Sequence, residues 1–281
     1  MDDRFRLYIF YMILIFKKVH YSWLMIFLLF FCDEGFCYDI FNPTPQSKMR
    51  KMSMDRPDTT ESPFTVDAGH YQAEISILEY EYNRHQIDSN ETYAVAKTTL
   101  KAGIYDDIDL QWVFSAYSEH INSFSKQRGF DDVQVRLKWN FFGNDESSDG
   151  LGVISYFQIP AGNDMSHGQW EGGWIFPYTT EFKYFSLNGQ FELDLVYDEQ
   201  YNRQAVELLH TNGLGFDFTE TVNGFVEYIG IIDAHDSYKS SLKQGLAWSV
   251  NNDFVLDCGF RVGLNRQQDD FGYFVGMSFR H

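Results

Sequence analysis

Val133-Gln134-Val135-Arg136-Leu137-Lys138-Trp139-Asn140-Phe141 carries an apolar residue at every odd position and a polar one at every even position. A β-strand turns successive side chains to opposite faces, so this segment has one greasy face and one wet face. A helix would smear the same residues around its circumference. The stretch therefore predicts a strand that divides two unlike environments.

The same period recurs along the chain. Phe254, Leu256, Cys258, Phe260, Val262 and Leu264 alternate with Val255, Asp257, Gly259, Arg261, Gly263 and Asn265. Leu187 to Tyr197 repeats it, with Asn188, Gln190, Glu192 and Asp194 on the polar side, and Ile108 to Phe114 and Ala94 to Ile104 are noisier copies. Read between turn signals, the pattern predicts strands near 69–84, 92–104, 108–120, 132–142, 151–160 and 171–183. Six more are expected near 185–199, 205–218, 221–234, 240–250, 254–265 and 271–280. Short junctions at Tyr105-Asp106-Asp107, Lys183-Tyr184, Thr219-Glu220 and Asn251-Asn252-Asp253 alternate with longer ones at His85–Glu91, Ile121–Asp131 and Ala161–Trp170. Tight turns on one side and longer loops on the other are the habit of transmembrane barrels, although Gly143–Gly150 is long for its place in that order. The expected fold is all-β: a closed antiparallel transmembrane barrel of about twelve strands, preceded by a short irregular N-terminal segment.

Composition agrees with strands and turns. Aromatics reach 18%, with 27 Phe and 18 Tyr, against only 6 Pro, and aromatic side chains suit a pleated surface. Beyond residue 36 no apolar run approaches the ~20 residues of a spanning helix. The net charge is −18, and residues 53–281 hold 15 basic against 35 acidic side chains. Nucleic acid is excluded as a partner on that balance, because phosphate binding needs a basic face. Three cysteines at 32, 37 and 258 build neither a disulfide framework nor a metal site, and no cofactor is implied.

Lys17-Lys18 followed by Trp23 to Phe31 reads as the basic and apolar parts of an export signal, so residues 1–37 are expected to be a leader cleaved near 32–38. Residues 38–63 include four of the six prolines and read as an irregular periplasmic or plug segment, with the barrel expected over 64–281. Both termini would then lie on the periplasmic side. Outer-membrane lipid is the expected surroundings. The last strand, with Tyr273, Val275, Met277 and Phe279 in alternation, resembles the signal read by the barrel-assembly machinery, although it ends in His281 rather than Phe.

The polar strand faces supply the candidate lumen residues. Lys97, Lys101, Arg136, Lys138, Arg261 and Arg280 are expected to project inward beside Glu192, Asp194, Glu227 and Asp257. Such mixed charges either form an eyelet that orients a solute or pair across the lumen and brace it. A second group, Asp55, Arg56, Asp58, Glu61, Asp67 and His70, sits in one short run ahead of the first strand. It reads either as a gate within the barrel or as a cap on its mouth. No catalytic residues are assigned. The histidines at 85, 120, 167 and 235 are scattered over loops and strand ends, and no nucleophile, base and acid form a motif.

Residues 53 to 72 (SMDRPDTTESPFTVDAGHYQ) are the most specific stretch of the chain, followed by Gly129-Phe130-Asp131-Asp132, Gly172-Gly173-Trp174-Ile175-Phe176-Pro177 and Phe274-Val275-Gly276-Met277-Ser278-Phe279-Arg280. Together they resemble the motifs of a family of outer-membrane barrels labelled as transporters and associated with the meta-pathway of phenol degradation. The likeness extends over residues 53–281. It implies a channel for passive uptake of small solutes, with hydrophobic or aromatic compounds as the solute class. A barrel enzyme acting on lipid or protein, and a structural or adhesive barrel, are the alternatives weighed against it.

Overall fold

The computed structural model describes residues 38–281 apart from 86–87, 145–147, 163–164, 167, 200, 234 and 236. The expected leader, residues 1–37, and His167 lie outside the described residues.

The strands follow in chain order. The first five are β1 (Tyr71–His85), β2 (Asp88–Tyr105), β3 (Ile108–Ile121), β4 (Lys126–Gly129) and β5 (Val133–Phe142). Next come β6 (Asp149–Ile159), β7 (Glu171–Glu181), β8 (Ser186–Asp198) and β9 (Arg203–Asp217). The last four are β10 (Val222–Ile232), β11 (Tyr238–Asn251), β12 (Phe254–Gly263) and β13 (Phe271–Arg280). Every pairing is antiparallel between neighbours. β1 also pairs with β13 and β2 with β3, which closes the sheet into a barrel of twelve strands plus the short β4. Closure satisfies the backbone of both would-be edges, as a sheet surrounded by hydrocarbon requires.

β4 corrects the loop expected at Ile121–Asp131. Its pairs, from Ser118↔Gly129 to Ile121↔Lys126, continue the register of β5 on β3, where Val113 faces Gln134. β4 is thus the upper part of β5, separated from it by Phe130-Asp131-Asp132. The hairpin expected at His85–Glu91 is also tighter, because β2 begins at Asp88 and pairs it with His85. The barrel starts at Tyr71 rather than at 64, and residues 64–70 belong to the N-terminal segment.

The alternation of the sequence becomes an inside and an outside. Trp112, Phe157, Phe191, Leu214, Leu246, Trp248, Phe260 and Val275 are exposed, while Gln111, Lys138, Gln190, Glu227 and Asp257 are buried. This inverts a water-soluble protein, whose large apolar side chains gain roughly 25 cal/mol per Å² by leaving water. An outer surface of this kind is stable against lipid. The inner face is not uniformly polar: Ile154 pairs with Ile175, both buried, and Ile229 and Phe274 also point inward.

One irregularity explains a noisy part of the sequence. In β1 the inward residues Glu74 and Ser76 are even-numbered, yet Glu79 and Glu81 further along make the lumen contacts. The ladder slips between Ser76 and Leu78, and opposite it Ala96 adopts φ +52°. A bulge inserts one residue and reverses the parity of the strand beyond it.

Candidate functional site: a plugged lumen

Residues 38–52 lie at the end of the barrel that carries the short turns, here termed the turn end. Ile40 bonds to Ile104, and Arg50 donates to the carbonyl of Asp106. From there the chain enters the lumen, turns at Thr59-Thr60-Glu61 and returns, so that Thr65 bonds to the Asp106 carbonyl near its starting level. The irregular character follows from sequence. Pro57 and Pro63 remove two backbone donors, and the polar residues between them favour turns over a ladder.

Because this segment makes no sheet, its backbone N–H groups need partners, and the barrel wall supplies them. Asp55 and Arg56 donate to the Glu74 carboxylate at 3.1 and 2.9 Å. Thr59 and Thr60 donate to the two oxygens of Glu227, both at 2.8 Å. Glu61 donates to Gln190 Oε1 at 2.7 Å, and Val66 to Asp109 at 3.1 Å. The Pro63 carbonyl accepts from Asn140. Strands on opposite sides of the barrel thus grip one segment, which crosses the lumen as a plug.

Side chains reinforce the grip. Asp55 bridges Lys101 at 2.5 Å and Lys138 at 2.7 Å, with both lysines fully enclosed. Lys101 also contacts Glu74. Arg56 reaches Asp257 at 2.6 Å and Ser76, with its guanidinium 5.9 Å from the Phe274 ring centre. It fits there because Gly276 has no side chain: a Cβ at that position would collide with the guanidinium. Gly103 has the same part opposite Asp67, whose carbonyl occupies the place of a Cβ. Glu61 pairs with Arg136 at 2.6 Å, and Arg136 stacks over Tyr156. Asp67 holds Arg50 at 2.7 Å and Arg280 at 3.1 Å, while Arg280 also bonds to Asp253. His70 donates from Nε2 to the Thr44 carbonyl at 2.7 Å and so ties two parts of the segment together. Asp58 faces a cavity beside the tip.

The remaining lumen candidates lie away from these contacts. Lys97 approaches Glu79 at 3.8 Å, and Arg261 bridges Glu81 and Asp269 at 2.6 and 3.0 Å. Asp194 accepts from Tyr156, and Glu192 accepts from Gln190 at 2.9 Å. Glu74, Gln190, Arg50, Tyr156 and Lys243, which donates to Thr59 Oγ1 at 3.3 Å, are not singled out by the sequence pattern. Glu74 lies before the parity slip of β1. Gln190 and Tyr156 are ordinary polar-face residues until the plug is placed. The glycines on the wet faces, Gly103 and Gly276, are the available sign that backbone or a guanidinium comes close to the wall.

Within the plug, Glu61 Oε2 is buried without a hydrogen-bond donor, and Asp55 Oδ2 is equally enclosed with only its ion pair to Lys101. Burial opposes ionisation of Asp55, but Lys101 and Lys138 overcome it and hold this carboxyl well below the usual range. Burial and the Asp55 charge push Glu61 up to about 7 against Arg136 and Lys138. The pair therefore shares one proton at moderately acidic pH, as adjacent carboxyl groups do. Burial and the Glu227 charge also raise Asp58.

Two cavities flank the plug on the β7–β8 side. One of about 210 Å³ lies between Asp58, Thr60 and Glu61 of the plug and Thr179 and Asn188 of the wall. The other, about 790 Å³, opens at the mouth beside Lys48, Lys51 and Phe182, and both touch Ser53, Phe64 and Glu181. Above them the plug tip rests on Gln190, on Glu227 and, through Thr60 Oγ1 at 2.5 Å, on Thr211.

The fold is shared with solved outer-membrane proteins of remote sequence. An outer-membrane channel from Pseudomonas putida F1 matches at 11% identity and a TM-score of 0.56, over 75% of this chain and 93% of that one. The translocator domain of the autotransporter NalP from Neisseria meningitidis matches at 7% identity and a TM-score of 0.50, over 81% and 91%. Among curated protein sequences none matches. A family model spans residues 54–281, starting at the plug and running through the last strand, and on that match the chain belongs to the family described as "Putative MetA-pathway of phenol degradation".

Proposed function

We propose that this protein is an outer-membrane channel for passive uptake of small solutes, with residues 53–67 as the plug that sets its conductance. The observation that carries the reading is the combination of a lipid-facing outer surface with a polar lumen crossed by one segment that belongs to no strand. Selectivity in such a lumen comes from lining charges and hydrogen-bonding groups. Glu192, Asp194, Glu227, Asp257, Lys97, Lys101, Arg136, Lys138, Arg261 and Arg280 are the residues assigned to it, and the run from Asp55 to His70 is assigned to the gate. The description of the family, with its reference to phenol degradation, supports aromatic compounds as solutes. The P. putida relative in fold is itself named a channel, which supports transport rather than catalysis.

In this reading the turn end faces the periplasm, with both ends of the barrel chain there, and the loop end faces outward. Residues 1–37 direct export, and β13 presents the alternating strand to the assembly machinery. Reconstitution of the purified protein in liposomes tests the function. Swelling in neutral aromatic and sugar solutes of graded size is expected, with a sharp upper limit set by the plug. Vesicles that remain as tight as protein-free controls would refute transport.

A further inference from the structure

The basic residues of the lumen are unevenly placed, whereas acidic residues line it all round. Asp55 engages Lys101 and Lys138, Asp67 engages Arg280, and Glu79 and Glu81 engage Lys97 and Arg261. These cations lie on β2, β5, β12 and β13, and Arg136 on β5, paired with Glu61 and stacked on the Tyr156 that bonds Asp194, comes nearest the other side, where Glu61, Glu192 and Asp194 outnumber it. The opposite wall is different. β7 and β8 contain no Lys or Arg, and the single one in β9, Arg203, sits at its loop-end tip over the Tyr201 ring. Along that wall Glu181, Glu192, Asp194, Asp198 and Glu207 mark a course from the turn end to the loop end, with His235 3.8 Å from Asp198 at the far end.

A second, independent observation is that two cavities beside the plug lie on the same side. Both cavities beside the plug adjoin β7 or β8, and the carboxylates lining them are Asp58, Glu61 and Glu181. Among the described lining residues, only Lys48 and Lys51, at the mouth, and Arg50, already paired with Asp67, bring positive charge there. A narrow lumen with one sign of charge concentrates ions of the other sign.

Resting on the channel reading, we propose that solutes travel along the β7–β9 wall, past the plug tip at Gln190, and that this route admits cationic and neutral solutes in preference to anions. Glu192 and Asp194, immediately above the tip, are its specificity-determining residues. Aromatic amines and uncharged phenols are the favoured class, and aromatic carboxylates the disfavoured one.

The test is the reversal potential of the full-length protein in planar bilayers under a KCl gradient. The unaltered channel is expected to be cation-selective. In the double variant Glu192→Gln/Asp194→Asn, the cation-to-anion permeability ratio is expected to fall by about tenfold per carboxylate, since one charge at about 6 Å under water-like screening favours the cation about threefold and disfavours the anion equally. The amide introduced by Asp194→Asn retains an acceptor for Tyr156, so the wall keeps its shape. Glu220→Gln, in an exposed turn, is expected to leave the ratio unchanged. Current without cation preference, or a preference untouched by the double variant, overturns this proposal alone. A bilayer that passes no current with either protein overturns the channel reading and this proposal with it.

Discussion

Raising the pH through the titration of Glu61 is expected to loosen the plug. Its Oε2 is enclosed without a donor, and its carboxyl is raised from 4.5 to about 7. The charged groups that influence it are Asp55 in the plug, Arg136 and Lys138 on β5, and Glu192 on β8. A raised carboxyl means that the docked plug binds a proton more tightly than the released one. Docking is therefore strongest below about 4.5, weakens as pH rises towards 7 and is level above that. About 2.5 pH units at ~1.4 kcal/mol each amounts to about 3.5 kcal/mol, roughly three-hundredfold in the docked-to-released ratio. Single-channel open probability between pH 4 and 8 measures it directly. Glu61→Gln keeps the group neutral and offers Asp55 an amide donor, so its open probability is expected to be low, with only the response of the raised Asp58 left in its pH profile. A pH-independent wild type, or a Glu61→Gln variant with the wild-type profile, would refute the shared-proton argument.

Three further outcomes are expected. Asp55→Asn leaves the enclosed Lys101 and Lys138 short of a counter-charge. Loss of one partner in a buried ion pair costs about 3–5 kcal/mol, so residues 53–67 should become accessible to limited proteolysis while the barrel stays folded. Gly276→Val places a branched side chain where the Arg56 guanidinium lies. A clash of that kind costs about 1–3 kcal/mol, and it should raise conductance without altering heat resistance of the barrel. Leu246→Arg puts a charge on the exposed outer face at the middle of β11. Folding into lipid vesicles, followed by urea titration, should show about 2–4 kcal/mol of destabilisation, whereas an unchanged midpoint would argue against lipid at that position.

The barrel was legible in the sequence because its signal is local. Alternation at Val133–Phe141 and Phe254–Leu264 requires only that neighbours face opposite ways, and it identified β5 and β12 directly. The slip at Ile77 and Ala96 was not legible, because a bulge is recorded as noise in the same alternation. Nor was β4, whose Lys126-Gln127-Arg128-Gly129 has no apolar face and is held by its pairing to β3 and by the Lys126–Glu119 ion pair.

The site was legible by composition and not by partnership. The acidic and basic residues of the run from Asp55 to His70 stood out, and so did the inward lysines and arginines. What joined Arg56 to Asp257, 201 residues away, or Thr60 to Glu227 and Thr211, is set by barrel closure and by the path of a segment without periodicity. The choice between a cap and a crossing plug depended on those contacts.

A reversible lock on the plug tip tests the central claim most directly. Thr60 and Thr211 meet at their hydroxyls, 2.5 Å apart, so cysteines at both positions, in a Cys258→Ser background, can be joined by oxidation and freed by reductant. In a planar bilayer the oxidised protein is expected to keep only the small current of the path beside the docked plug, and a reductant should raise it. Equal current in the oxidised and reduced states would contradict a gate at this point of the lumen.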